Sequence, residues 1–398
     1  MKSIFIFNPE TDIVLGLDTD SYTPNKNIAN FRKRLSLLPS LYAEKGDTVL
    51  IPDSVKDDEI VNLPFFDITN AKGLNILRWN DLKKISIFND PPSPSIFKPW
   101  GWNKEMHRKL TALPVPETTL PSLSCIEKLR SLSHRSLTVD FFMYFDSFKD
   151  SVNASGITPP CYLSTMESVM NFIDAHGLFC LKAPWSSSGR GVIFSLHNKK
   201  EKILEWAGGV LKSQGGLMGE VFYQKRIDFA SEWFVKDGTV VYCGLSLFQS
   251  DERGKYTGNR LLPQKEIKEY LKEESEWSDI YLIRQRDFIE KFISPYYSGP
   301  LGFDMLVTEN GSINPCVEIN LRQTMGNVAI EVEKQISETS QPDMAKMIKR
   351  YFPDGIFSVN KFFKYTDSRN NFILNIQDNN ERQKNNKYYR ERKCGVSS

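Results

Sequence analysis

Acidic, amide and guanidinium side chains recur at positions that could share one face of a β-hairpin. Residues 303–307 and 313–321 are strand-like, and Glu309-Asn310-Gly311 between them supplies a turn. Side chains two residues apart on a strand lie on the same face. The residues that this pattern brings to one face are Asp304, Glu318, Asn320 and Arg322.

The chemistry of this group favours a bound cation. Carboxylate and amide oxygens are hard ligands that suit Mg²⁺, which binds a few carboxylates together with water and substrate phosphates. The sequence therefore predicts a magnesium site at Asp304, Glu318 and Asn320. The alternative is an ordinary exposed strand face, which the same alternation also fits.

A second motif is a run of small residues behind a lysine. Lys182 lies at the end of a predicted strand over 178–183, and an apolar segment at 192–194 follows the run. Small residues let backbone amides approach phosphate oxygens, and a lysine adds a point charge for the same oxygens. We predict a β-hairpin flap over a nucleotide, with a flexible turn as the alternative. The small residues proposed for phosphate contact are Ser186, Ser187, Ser188, Gly189 and Gly191.

The elements that position these motifs begin with a small α/β domain. Apolar strands are predicted at 4–7 and 47–51, with shorter ones at 73–79 and 96–98. The first strand ends in Asn8-Pro9-Glu10, and a polar loop after a strand is the usual place for ligand contacts in an α/β sheet. The segment 100–103, Trp-Gly-Trp-Asn, either lines a pocket or fills a domain junction, and the second is favoured.

The rest of the chain alternates helices with hairpins. The Asp237-Gly238 dipeptide predicts a hairpin between strands over 225–235 and 239–248. A capping box formed by Ser164 and Glu167 predicts the start of a helix that runs to about residue 176. Helices are also predicted at 103–113, 124–132, 133–148, 266–292 and 328–350.

Composition excludes some classes of partner. The 398 residues contain 51 Lys and Arg against 49 Asp and Glu, so charge gives no global preference for nucleic acid or membrane. The six cysteines lack C-x-x-C spacing, which indicates reduced thiols in a cytoplasmic protein. No signal peptide is expected, and no apolar run approaches membrane-spanning length. A basic stretch at 381–393 could touch RNA, but a solvated tail is favoured and nucleic acid is unlikely.

These motifs together resemble the ATP-grasp superfamily of ligases over about residues 133–327. Its members share a lysine or arginine before a helix and a second lysine on a later strand, the places of Arg135 and Lys182. The family pattern G-x-D-x-x-V followed by E-x-N-x-R matches Asp304, Glu318, Asn320 and Arg322. The branch resembled is a bacterial one of the carboxylate–amine ligase type.

The resemblance implies ATP and Mg²⁺ as cofactors and assigns roles to the matching residues. Arg135 and Lys182 would hold the phosphates, and Arg322 would stabilise an acyl phosphate, which makes Lys182 and Arg322 the expected catalytic pair. Asp228 would hold the ribose. The adenine hinge would be Gln224, Lys225 and Ile227, where Gln224 departs from the usual glutamate.

The substrate pocket is expected among polar residues outside the nucleotide motifs. The residues predicted to contact substrate are Arg253, Asn259, Arg260, Thr324 and Gly326. The partners expected from the resemblance are small-molecule or peptide carboxylates and amines, and homodimers are common in the superfamily. The alternatives are a kinase of the same fold that phosphorylates a hydroxyl, and a non-catalytic nucleotide-binding protein.

The expected fold class is α/β and α+β: a pre-ATP-grasp α/β domain followed by an ATP-grasp fold with two α+β subdomains. The predicted segments are the α/β domain at 1–105, a helical linker region at 106–155, the lid subdomain at 156–224, the metal-binding subdomain at 225–355 and a polar basic tail at 356–398.

Overall fold

A computed structural model describes residues 2–82, 96–113, 119–148, 156–186, 191–251, 256–338 and 340–363. The chain divides into two compact units, Met1–Ser358 and Val359–Ser398. In the second unit the described residues form a 3₁₀ turn at Asn360–Phe362. The predicted basic stretch at 381–393 lies outside the described residues. Within the described part, no helix has the length and apolar character needed to cross a membrane.

The first part of the larger unit is a parallel α/β layer, as predicted. Its four strands are all parallel and take the order β3-β2-β1-β4, so the first strand is central. The two central strands, β1 and β2, are mostly apolar and buried, while the edge strands β3 and β4 carry exposed residues. The elements are β1 Ser3–Ile6, α1 Thr11–Leu17, α2 Lys26–Arg34, β2 Thr48–Ile51, α3 Asp57–Ile60, α4 Phe66–Ala71, β3 Asn75–Arg78, α5 Trp79–Leu82 and β4 Ile96–Pro99.

Three helices connect this layer to a small antiparallel sheet of order β5-β8-β6-β7. The predicted capping box at Ser164 and Glu167 is wrong by one position. Thr165 is the N-cap, and its side chain and that of Ser168 each accept the other's backbone N–H. The elements are α6 Lys104–Thr111, α7 Leu123–Leu132, α8 Leu137–Asp146, β5 Cys161–Leu163, α9 Met166–Ala175, β6 Phe179–Lys182, β7 Val192–Phe194, α10 Lys200–Gln214 and β8 Leu217–Val221.

The second α+β part is built on a six-stranded sheet of order β13-β12-β9-β10-β11-β14. The predicted hairpin turn is confirmed, because Asp237 and Gly238 both have positive φ, the conformation of a type I′ turn. The elements are β9 Lys225–Lys236, β10 Thr239–Ser250, β11 Tyr256–Arg260, α11 Gln264–Glu274, α12 Ile280–Phe288, β12 Gly299–Thr308, β13 Ile313–Asn320, α13 Met325–Ser337, α14 Pro342–Tyr351 and β14 Ile356–Phe357.

A large core cluster lies on one face of this six-stranded sheet. Aromatic rings of α8 meet those of α12 and β12, as Phe141 contacts both Phe288 and Phe303 edge-on. These rings are fully buried. This packing buries the apolar face of β12 and β13. The opposite face of the two strands carries the polar residues of the candidate site.

Candidate active site

Asp304 and Glu318 lie directly opposite each other on β12 and β13. Asn320 is the next residue on the same face and donates a side-chain hydrogen bond to Asp304. Burial raises the pKa of Asp304 to about 7, the negative charge of Glu318 adds to the rise, and Arg322 opposes it. The hairpin thus places the two predicted carboxylates and the amide side by side.

Arg322 follows β13 and joins this hairpin to the first α/β layer. Its Nε donates to both carboxylate oxygens of Asp12, at 3.1 and 2.9 Å, and its Nη2 donates to Asn320 Oδ1 at 2.9 Å. Burial raises the pKa of Asp12, and the positive charge of Arg322 opposes the rise. Asp12 stands in the first turn of α1. Sequence reasoning missed it, although the polar loop after β1 was a signal for contacts in this place.

Arg135 links the small sheet to the hairpin. Its Nη2 donates to Glu318 Oε1 at 2.7 Å and to the Ser186 carbonyl at 3.1 Å, while Nη1 donates to Ser186 Oγ at 2.6 Å and to the Ala183 carbonyl. The side chain is 5% exposed. The backbone of Arg135 donates to the Pro184 carbonyl, so the residue lies in a turn before α8 rather than in the predicted helix. One guanidinium therefore spans both α+β parts.

Lys182 ends β6 and is buried. Its Nζ lies 2.6 Å from Glu220 Oε2 on the neighbouring strand β8. Burial alone would lower the pKa of Lys182, but the negative charge and the hydrogen bond of Glu220, together with the nearby Cys180, outweigh it and the pKa is raised. Sequence reasoning missed Glu220, because only the pairing of β6 with β8 brings it beside the lysine.

The predicted flap is described only at its two ends, since Ser187, Ser188 and Gly189 lie outside the described residues. At those ends, the Ala183 N–H donates to the Gly191 carbonyl at 2.7 Å. A Cβ on Gly191 would overlap the side chain of Ser186. The close approach therefore requires glycine at position 191 and fixes the Ser186 hydroxyl beside Arg135.

The predicted hinge lies at the start of β9. Gln224 and Lys225 are exposed and Ile227 is buried. Lys225 Nζ lies 2.6 Å from Asp228 Oδ2, which also accepts the Ser250 hydroxyl at 2.5 Å. Asp228 pairs with Leu306 on β12, two residues from Asp304 along that strand. The hinge and the carboxylate pair therefore lie along one strand pair.

The residues predicted for substrate separate into two places. Arg253 lies outside the described residues. Asn259 and Arg260 are on β11, where Asn259 is buried and accepts the Tyr256 hydroxyl, while the exposed Arg260 guanidinium stacks over a tyrosine ring. Thr324 and Gly326 lie at the start of α13, beside Arg322.

Thr324 and Gly326 surround a buried acid that sequence reasoning missed, Glu232. This residue is 1% exposed and accepts hydrogen bonds from Thr324 Oγ1 at 2.7 Å and Ser246 Oγ at 3.3 Å. Burial raises its pKa to about 8, so the side chain is protonated at neutral pH. Thr324 is also the N-cap of α13 and accepts the Asn327 N–H at 2.9 Å. Glu232 therefore anchors the cap that follows Arg322.

The donor set at the hairpin fits Mg²⁺ as a site completed by other ligands. Two carboxylates and one amide supply oxygens, the chemistry that Mg²⁺ prefers. The described residues hold no group of three or more His, Cys, Asp or Glu side chains arranged for a metal. Asp304, Glu318 and Asn320 would hold the ion, with phosphate and water oxygens filling the remaining positions.

Comparison with known proteins gives one partial sequence match. No protein-family model matches the chain. The [butirosin acyl-carrier protein]–L-glutamate ligase of Niallia circulans is 27% identical over 180 residues. That match covers 43% of this chain and 40% of the relative, so the chain spans well under half of the curated relative it matches. The chain resembles the ATP-grasp enzymes, as its motifs predicted.

The solved structures that match this chain in three dimensions share little sequence with it. Biotin carboxylase from Campylobacter jejuni has a TM-score of 0.49 at 12% identity, covering 90% of this chain and 73% of that one. N5-carboxyaminoimidazole synthetase from Staphylococcus aureus, complexed with ADP, has a TM-score of 0.44 at 10% identity, covering 81% and 71%. D-alanyl-alanine synthetase A from Vibrio cholerae has a TM-score of 0.43 at 13% identity, covering 73% and 92%.

Proposed function

We propose that this protein is an ATP-dependent ligase that activates a carboxylate as an acyl phosphate and transfers the acyl group to an amine or another nucleophile. The observation that carries the proposal is the bridging position of Arg135. Its guanidinium contacts Glu318 and the Ser186 end of the flap at once. A triphosphate between the two α+β parts would meet Arg135, Lys182 and the carboxylate pair together.

The described residues suggest how the nucleotide would lie. The start of β9, from Gln224 to Ile227, would read adenine, and Asp228 would hold the ribose. Lys182 and Arg135 would neutralise phosphate oxygens, exchanging their present carboxylate partners for phosphate. Mg²⁺, when bound at Asp304, Glu318 and Asn320, would neutralise the charge that develops on the transferring phosphoryl group.

The reaction proceeds in two displacements. A carboxylate oxygen of the substrate attacks the γ-phosphorus of ATP, the bond from that phosphorus to the β–γ bridging oxygen breaks, and ADP leaves. The nitrogen of an amine then attacks the acyl carbon, the acyl carbon–oxygen bond breaks, and inorganic phosphate leaves as the amine loses a proton. Arg322 would stabilise the acyl phosphate, and Asp12 holds that guanidinium in place.

The partial match to a glutamate ligase supports amide-forming chemistry, and the relative's name points to an amino acid as one substrate. The five cysteines within the described part are free thiols, which supports a cytoplasmic setting. The proposed acceptor is either a small molecule or a carrier-bound group. A homodimer is a further proposal.

The test is an ADP-release screen over pairs of carboxylates and amines, with products detected by mass. The carboxylates carry ¹⁸O. A ligase of this kind transfers one ¹⁸O atom to inorganic phosphate and forms an amide. A phosphorylated hydroxyl compound with no requirement for amine would identify a kinase instead. ADP release with neither ¹⁸O transfer nor a joined product would contradict the proposed reaction.

A further inference from the structure

A large cavity lies between the first α/β layer and the six-stranded sheet, separate from the carboxylate pair. Its volume is about 580 Å³, within the range of small-molecule binding sites. One wall is formed by β1, β4 and α7, and the other by the end of β9, the start of β12 and one side of α13. None of the described residues of the proposed nucleotide site lines it.

The walls of this cavity are mainly apolar and rich in aromatic rings. Trp100 and Trp102 lie along one side, with Phe97 on β4, while Tyr296 stands at the opposite side and is 52% exposed. Flat aromatic walls favour a planar or bulky apolar ligand, because such a ligand buries the most apolar surface for its size.

A few polar groups interrupt the apolar wall. Lys98 Nζ lies 5.2 Å from the centre of the Phe5 ring, and Glu331 and Asn327 project from α13. Polar groups of this number fix the orientation of a ligand in an otherwise apolar pocket. Lys98 would meet a carboxylate of the ligand, and Glu331, whose Oε1 lies 2.8 Å from Lys334 Nζ, would exchange that partner for an amine.

The cavity touches the loop that carries the proposed catalytic arginine. Gln323, the residue after Arg322, lines it, and its backbone N–H donates to the Trp100 carbonyl at 2.8 Å. Pro300 also lines it, and Asp304 lies four residues further along β12, about 13 Å at the usual rise of a strand. An extended dipeptide with an aromatic side chain is about long enough to span that distance, and a single amino acid is too short.

We infer that this cavity binds the part of the ligase substrate remote from the reacting group, an aromatic or bulky apolar group on a small carboxylate or amine. The inference rests on the proposed function for its role and on the cavity alone for its ligand chemistry. The reacting end of the substrate reaches Arg322 past Gln323. Glycine and other substrates without a side chain leave the cavity unfilled and bind weakly.

Ligand-observed NMR with matched probes tests this inference on the full chain. The probes are 3-phenylpropionate and phenethylamine, with propionate and ethylamine as partners that lack the ring. We expect saturation transfer to the ring protons of at least one ring-bearing probe and none to the partners. Absence of binding by both ring-bearing probes would overturn the inference.

Two variants locate the binding. Cys125→Trp fills the cavity from α7, and Ser124→Trp adds the same ring at the adjacent, exposed position that does not line it. We expect Cys125→Trp to weaken the ring-bearing probe at least tenfold and Ser124→Trp to leave it unchanged. Cys243→Trp fills the cavity from β10 and serves if Cys125→Trp does not fold. Wild-type affinity in a folded filling variant would overturn the inference.

The same samples separate failure of this inference from failure of the proposed function. A non-hydrolysable ATP analogue with Mg²⁺ should bind the filling variants as it binds the wild type, since no cavity residue is assigned to the nucleotide. If a ring-bearing probe binds and the nucleotide does not, the cavity site is supported and the proposed ligase function is contradicted. Nucleotide binding without ring binding does the reverse.

Discussion

The partly buried pair Asp304 and Glu318 and the fully buried Glu232 lie on the same six-stranded sheet, and they meet different neighbours. Asp12, on α1, lies near Asp304 and Glu318 through its contact with Arg322. These three carboxylates face two guanidiniums, those of Arg135 and Arg322. Glu232, two strands from Glu318, faces the hydroxyls of Thr324 and Ser246 instead.

The difference shows how the partners of a buried acid decide its use. When Asp304 is ionised, three carboxylates against two guanidiniums leave excess negative charge, which favours entry of a cation and lets the arginines change partners when phosphate arrives. Glu232 holds a proton, and its hydrogen bonds stay fixed. The charged group is suited to catalysis, and Glu232 is suited to positioning the loop after Arg322.

Replacing an acid in the charged group should remove activity with little change in stability. Glu318→Gln keeps the oxygen that accepts Arg135 but removes the charge, so we expect ADP formation to fall about 100-fold or more. The lost attraction to Arg135 is offset by relief of repulsion with Asp304. Steady-state ADP release and thermal melting measure the two effects.

Glu309→Gln is the matched control, because Glu309 is an exposed acid in the turn of the same hairpin. It should leave both quantities unchanged. A large drop in melting temperature for Glu318→Gln, with activity per folded molecule retained, would mean that Glu318 stabilises the fold and takes no part in the reaction.

Crowding around Glu232 should make the start of α13 intolerant of added volume. A Cβ on Gly326 would overlap Glu232 Oε1 and the Ser246 hydroxyl, so Gly326→Ala should lower the free energy of unfolding by about 1–3 kcal/mol. Urea denaturation measures the change. Gly209→Ala is the control, because Gly209 lies inside α10 with open space around it and should gain about 0.5–1 kcal/mol. Equal effects of the two changes would argue against tight packing at Glu232.

The protonated state of Glu232 should appear as a pH dependence of stability. Its pKa is about 8 in the folded protein and 4.5 for the free side chain. The folded state therefore binds the extra proton between these values, and this contribution is complete below pH 4.5 and is lost as pH rises through 8. Relative to Glu232→Gln, the wild type should lose at most about 1.4 kcal/mol per pH unit over that window.

Denaturant unfolding of both proteins from pH 5 to pH 9 measures this difference. Because Glu232→Gln keeps the hydrogen-bonding shape of the protonated acid, it should fold at every pH in the series. A stability difference that does not change with pH would mean that Glu232 is ionised in the folded protein and that the contrast between the two groups is wrong.

Local patterns in the sequence predicted much of the fold but few of the side-chain contacts between distant elements. The Asp237-Gly238 turn and the alternation from Glu318 to Arg322 are short-range signals, so the two hairpins followed from the residues themselves. Asp12, Glu220 and Glu232 were missed because each meets its partner only after distant elements pack. Nothing near residue 12 indicates that Arg322, far along the chain, will bind it.

The capping error at Thr165 has a similar cause on a smaller scale. Ser164 and Thr165 both carry hydroxyls that can cap a helix, and the sequence pattern alone favoured the pair with a glutamate. The backbone of Thr165 is extended at φ −135° and ψ 156°, which places its hydroxyl on the N–H of Ser168. Backbone geometry, rather than residue type, decided between them.

The most direct test of the account is calorimetric titration with a non-hydrolysable ATP analogue in the presence and absence of Mg²⁺. The wild type, Lys182→Met and Lys200→Met are compared, since Lys200 forms an exposed ion pair in the same α+β part. We predict one Mg²⁺-dependent site per chain, at least tenfold weaker in Lys182→Met and unchanged in Lys200→Met, with all three proteins folded by thermal melting. Absence of binding to the wild type, or equal binding by folded Lys182→Met, would contradict the assignment of this site to ATP.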